Sequence, residues 1–295
     1  MIMLLNRKIS VHYFINQIKW QLAMVVSFAL AVGYLHMHPA FASISLPMPL
    51  LALMGTIVSI LLAFRTSQSY ERWWEARIIW GAIVNDSRTL VREAAQFLGE
   101  AHEDALRDIA ERHIVWPYAL GESLRRLPFS PKVTEYITSN DVHGVNIPNA
   151  LLDEHSRQVG NLYRKGAISE FNQMQLNGTI SKLCDSMGKC ERIKNTVFPR
   201  SYSLMLHTLI YIFTAMLPFG LDHSQLVVEI ILSVLIPVMF IAVEKTAIIM
   251  QDPFENTPVD TPMTALAQTI EINIRQATGG TLALEKQNNG LYYQM

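Results

Sequence analysis

Thr56, Ile60 and Phe64 recur every four residues, and on a helix such steps keep to one face. One hydroxyl and two bulky apolar groups on one face can do one kind of chemistry, which is to withhold water. One position back, Gly55, Ser59 and Ala63 repeat at the same spacing, about 100° around the cylinder. Small residues let helices approach closely in lipid, where no hydrophobic effect drives them together. If identical helices pack in a ring through that small face, the first stripe looks down the central axis. Periodicity alone also admits, and by itself favours, the simpler reading in which Ile60 and Phe64 touch lipid or another helix.

Other chemistries find little support. No Gly-rich phosphate loop, nucleophile elbow or His-Glu-x-x-His occurs. The nine histidines are scattered, and the nearest pair, His36 and His38, lacks further metal-ligand spacing. Cys184 and Cys190 stand six apart, on nearly opposite sides of a helix, and read as free, packed thiols. Glu71, Glu75, Asp86 and Glu93 interleave with Arg72, Arg77, Arg88 and Arg92, a pattern of intrahelical or intersubunit ion pairs. Nothing here points to an enzyme, a cofactor or a metal centre. The chain has 295 residues, 50% hydrophobic and 17% charged, with a net charge of −1. That is too apolar for a typical soluble protein, and no basic excess suggests nucleic acid.

The elements that carry the two stripes follow from hydropathy. Leu46–Phe64 is nineteen residues without a charge, long enough as a helix to cross roughly 30 Å of hydrocarbon. With no turn signal it continues into the polar Arg65–Leu98, so a membrane helix is expected to run on into a water-soluble one. Trp20–His36 is a first span, and Ser203–Leu221 and Leu226–Val243 are the third and fourth. Ala40-Phe41-Ala42 resembles a signal-peptidase site, but the long leading segment favours a retained anchor. Arg7, Lys8, Lys19, Arg65, Arg200 and Lys245 flank the spans on one side, whereas the linker 36–45 and the turn 222–225 carry no Lys or Arg. The positive-inside rule then predicts four spans in the inner membrane with both termini cytoplasmic.

Glu229, one turn inside the last span, is expected to snorkel to the interface, with a pore role as the alternative. Residues 65–202 read as a helical cytosolic domain, with helices at Arg65–Leu98, His102–Arg126, Ala150–Gly166 and Ala167–Thr196. The proline-rich Phe129–Pro148 reads as loop. In the C-terminal segment 251–295, Pro262–Ala277 reads as a short helix before a weakly structured tail. The fold class is thus all-α: residues 1–64 hold the first two spans, 65–202 the cytosolic domain, 203–250 the last two spans.

Phe64-Arg65, Tyr70-x-Arg72-Trp73-Trp74-Glu75-Ala76-Arg77, Gly188-x-Cys190-Glu191-Arg192-Ile193, Pro199-x-x-Tyr202 and Asp252-Pro253-Phe254 stand in an order that resembles the bestrophins, particularly their bacterial homologues. The resemblance implies a homopentameric ion channel with its pore on a five-fold axis, whose partners are further copies of itself, membrane lipids and permeant ions. It implies a hydrophobic neck at Thr56, Ile60 and Phe64, with Thr56 departing from the usual apolar residue. It also implies a cytosolic constriction at Phe171, with Met174 as the alternative. The acidic calcium clasp of animal members is reduced here to Asp252, Glu255 and Asp260, so no calcium activation is expected. On selectivity, the likeness to bacterial members leans toward monovalent cations such as sodium, with a chloride channel as the alternative. A membrane-anchored helical scaffold with a sealed axis is the reading of another class.

Overall fold

The computed structural model describes residues 11–38, 44–196, 198–221 and 225–279. Among these, every regular element is helical: α1 (Val11–His36), α2 (Met48–Leu98), α3 (Glu103–Leu124), α4 (Pro131–Ser139), α5 (Ile147–Arg164), α6 (Glu170–Asn195), α7 (Arg200–Met216), α8 (Leu226–Gln251) and α9 (Met263–Ala277). The signal-like Ala40-Phe41-Ala42, the basic Arg7 and Lys8, the turn at 222–224 and the tail beyond residue 279 lie outside the described residues.

The chain divides into two compact units. A span unit holds α1, α2 as far as Arg72, α7 and α8. A bundle unit holds the remainder of α2, α3 to α6, and the segment from Asp252 through α9. α2 is one helix of 51 residues that contributes to both, as the missing turn signal at Phe64-Arg65 predicts.

In the span unit, α1 packs along α8 and α7 packs on α8. Four helices, α1, α2, α7 with the 3-10 turn after it, and α8, are long and apolar enough to cross a membrane. Small residues make the close approaches here. A Cβ on Gly33 of α1 would meet Ile230 of α8 at 3.0 Å, and one on Gly55 would meet the Phe213 ring of α7 at 3.3 Å. Pro218 stops α7 at Met216 and leaves Leu217–Gly220 as a 3-10 turn, from which Phe219 accepts a backbone bond from Leu46.

The bundle unit closes around a dense core in which Trp80, Trp116, Leu151, Leu176, Leu183 and Phe254 are fully buried. α3 packs against α5, α9 and α4, and α5 against α6. Trp116 Nε1 donates to the Pro148 carbonyl at 3.0 Å, pinning α3 to the first turn of α5. Capping follows the sequence. Asn146 accepts from the Asn149 amide to start α5, and Ser169 accepts from the Asn172 amide to start α6. The stretch expected as loop contains α4, because Pro131 at the first helical turn starts a helix rather than breaking one.

Candidate functional site

Thr56, Ile60 and Phe64 lie on an uncovered face of α2, with Ile60 51% and Phe64 63% exposed. Val58 and Leu62, on the opposite side, are buried against Leu206, Ile210 and Ile241. The helix therefore commits one side to the subunit and leaves the stripe facing out. The Thr56 hydroxyl donates back to the Ala52 carbonyl at 2.8 Å, which spends its donor on its own helix. Of the small residues, Ser59 and Ala63 are exposed beside the stripe, whereas Gly55 is used inside the subunit against Phe213. Phe171 and Met174, in the first turns of α6, are 81% and 66% exposed within the bundle unit.

Behind the stripe, polar residues of the span unit come in buried sets. Arg65, immediately after Phe64, donates from Nη1 to Glu244 Oε1 on α8 at 3.2 Å, and both side chains are buried. His207 Nδ1 of α7 lies 3.0 Å from the same oxygen. Further along α8, Glu229 is buried with its Oε1 2.6 Å from His36 Nδ1 of α1. The expectation that Glu229 snorkels is thus corrected. A partner on a neighbouring helix satisfies its carboxylate inside the unit, which removes the reason to reach for water. Glu244 escapes sequence reading because it stands one residue beyond the apolar run ending at Val243.

The motif residues meet in the bundle unit. Trp73 Nε1 donates to the Val259 carbonyl at 2.7 Å, and Glu75 accepts from Arg192 Nη2 of α6 at 2.8 Å. Glu75 therefore pairs across to another helix rather than along its own. Glu93 likewise accepts from Gln175 and from the Thr179 hydroxyl of α6. Cys190 is packed, and burial pushes its thiol up to about 12, while Cys184 is exposed. Among the described residues no cluster of three or more metal-ligating side chains occurs.

The acidic segment after α8 is internally occupied. Lys194 Nζ of α6 lies 2.8 Å from Asp252 Oδ2 and 2.7 Å from Glu255 Oε1, with its own side chain 6% exposed. Burial alone would lower the ammonium, but the bonds to Asp252 and Glu255 outweigh it and hold Lys194 above its ordinary range. Asp260 accepts from the amide and hydroxyl of Thr257 and so closes its own turn.

Four helices long and apolar enough to cross a membrane, in a chain whose described elements are all helical, define an all-α membrane protein. The profile of the bacterial/fungal bestrophin proteins matches residues 3–276, and the chain belongs to that family. It is 29% identical over 259 residues to the voltage-dependent anion channel-forming protein YneE of Escherichia coli K12, covering 86% of this chain and 84% of that one. It is 28% identical over 264 residues to the voltage-dependent anion channel-forming protein RSc3414 of Ralstonia nicotianae, covering 88% and 86%. A crystal structure of a bacterial bestrophin homologue from Klebsiella pneumoniae superposes with a TM-score of 0.83 at 28% identity, covering 90% of this chain and 99% of that one.

The lean toward cations is overturned by these relatives, which are named anion channel-forming proteins. The lean rests on the likeness to bacterial members, and nothing in the stripe could check it. A stripe of Thr, Ile and Phe carries no charge, so it gates by drying and is silent on the sign of the ion.

Proposed function

We propose that this chain is the subunit of a homopentameric anion channel of the inner membrane, conducting chloride-sized ions and performing no enzymatic step. The observation that carries the proposal is the uncovered stripe of Thr56, Ile60 and Phe64 on a helix whose other side is packed within the subunit. Five such stripes around an axis make a dry neck, with Ser59 and Ala63 meeting the neighbouring helix. The names of the relatives support anions as the permeant class. Phe171 and Met174 form a second apolar constriction in the bundle unit, which serves as the cytosolic domain. Both termini are cytoplasmic, on the Lys and Arg asymmetry of the span flanks.

Conduction is independent of calcium. A hard divalent cation wants six or more oxygens, and here the Lys194 ammonium already lies between Asp252 and Glu255. The tethered charge supplies what a bound cation would.

Purified protein in liposomes under a NaCl gradient tests the reading. The expected reversal potential lies toward chloride, is unchanged by calcium chelation, and accompanies a detergent-solubilised protein mass near five times 33.4 kDa. A potential toward sodium, a steep calcium dependence or a stable monomer would each overturn the part of the proposal it addresses. Absent flux from an intact assembly leaves a sealed scaffold.

A further inference from the structure

We propose that Glu244 sets the ion selectivity of the neck by balancing the buried charge of Arg65. This rests on the neck and anion-channel reading above. Arg65 is the residue after Phe64, so its charge enters the wall at that end of the stripe. It turns inward. The guanidinium donates to Glu244 Oε1 at 3.2 Å, lies 5.3 Å from the Phe198 ring centroid, and has a side chain 3% exposed. Beside it, the Tyr202 hydroxyl donates to the Leu61 carbonyl at 2.9 Å, tying the start of α7 to the turn of α2 that precedes Arg65.

A charge in such a wall acts at a distance that water would screen, because the medium between it and the passage is apolar. The bare stripe has no sign of its own, so a nearby charge decides which ion is favoured. As built, guanidinium and carboxylate nearly cancel. The third arm is His207, half-exposed, whose Nδ1 shares Oε1 of the same carboxylate at 3.0 Å. A single oxygen thus faces nitrogen partners from two helices, α2 and α7. With guanidinium and carboxylate nearly cancelling, a change of charge at any of the three side chains tips the sign that the passage meets.

The test is a charge series read by reversal potential in liposomes. Glu244→Gln leaves Arg65 unbalanced and is expected to raise the chloride-to-sodium permeability ratio about threefold. Arg65→Gln should lower the ratio, and by less, because His207 still contacts the carboxylate. The double variant Arg65→Gln/Glu244→Gln should return to the wild-type ratio, and Arg65→Lys, which keeps the charge, should stay near it. A merely structural pair would weaken assembly in both single variants without moving the ratio in opposite directions. Should a buried variant fail to assemble, the half-exposed position carries the test: His207→Lys should shift the ratio toward chloride and His207→Glu toward sodium. Unshifted ratios across the assembled variants, with wild-type anion flux intact, overturn the inference. A wild-type protein that passes no anions instead removes the channel reading beneath it.

Discussion

Three tryptophans mark a contrast between the two units. Trp80 and Trp116 are fully buried in the bundle unit, whereas Trp20 of the span unit is 78% exposed. Several other large side chains follow this contrast, although Ile78, Phe171 and Met174 of the bundle unit are exposed as well. The bundle unit hides Leu90, Leu151, Leu176 and Leu183, while the span unit presents Tyr34, Leu53, Leu204 and Val227. The span unit nonetheless buries charged groups, Arg65, Glu229 and Glu244. An apolar exterior with paired charges inside is the arrangement expected where the solvent is lipid and other copies of the chain. The lesson is that exposure has to be read against the medium.

The largest expected effect tests what the buried half of that comparison is worth. Trp116→Ala removes a fully buried ring, its bond to the Pro148 carbonyl and its stacking with His113 at 5.6 Å. Loss of about 3–5 kcal/mol is expected from such a core truncation, read as a lowered denaturant midpoint. Trp20→Ala should change the same midpoint by less than about 0.5 kcal/mol. Equal losses would erase the distinction between the units.

Acid should also separate the units, through a smaller effect. His113 and His155 are buried with ring centroids 5.4 Å apart, and both His113 nitrogens and Nε2 of His155 have no hydrogen-bond partner. Burial pushes His113 down to about 3, and burial, then the charges of His113 and Arg112, lower His155 in the same direction. An imidazole freed by unfolding takes its proton near 6.5, so the unfolded chain binds more protons throughout that interval. Stability is therefore complete above about 6.5 and falls as the pH drops through the window toward 3. Once the pH is well below 6.5, each further unit should cost about 1.4 kcal/mol per histidine. Thermal melts between pH 7.5 and 5, followed by tryptophan fluorescence, should show this loss, and His113→Leu should flatten the slope. A flat wild-type profile would show the pair to be hydrated in solution.

Legibility in the sequence follows the range of the interactions concerned. Local periodicity foretells the run from Met48 through Leu98, the four apolar helices and the Pro262–Ala277 helix, because each depends on residues within a few turns. It misses α4, where the two prolines of Phe129–Pro148 read as breakers although Pro131 occupies a first helical turn. It misses the charge partners, since Arg65 finds Glu244 and His36 finds Glu229 across 179 and 193 residues. Selectivity is not legible for a different reason. The lean toward cations comes from the likeness to bacterial members, and the neutral stripe has no sign of its own to set against it.

The smallest effect on folding is expected at the stripe, where the change should appear in flux instead. Ile60 and Phe64 make no core of their own subunit, so truncating either to Ala should leave assembly and thermal stability nearly unchanged. In the proposed pentamer their rings stand about 6 Å apart along the axis, from the helix rise. Truncation widens and wets that segment, so conductance should rise while the chloride preference is kept, because no charge has been altered. Thr56→Ala should do less, since its hydroxyl donor is already spent on Ala52 and the change removes fewer atoms than truncating Ile60 or Phe64. Leu61→Ala is the control, one position around the helix and packed against the buried set of Val58, Leu62, Leu206 and Ile210. That variant should lose stability without gaining flux. The opposite pattern, with Ile60→Ala destabilising and Leu61→Ala opening the path, would place the water-facing side of α2 about 100° from the stripe.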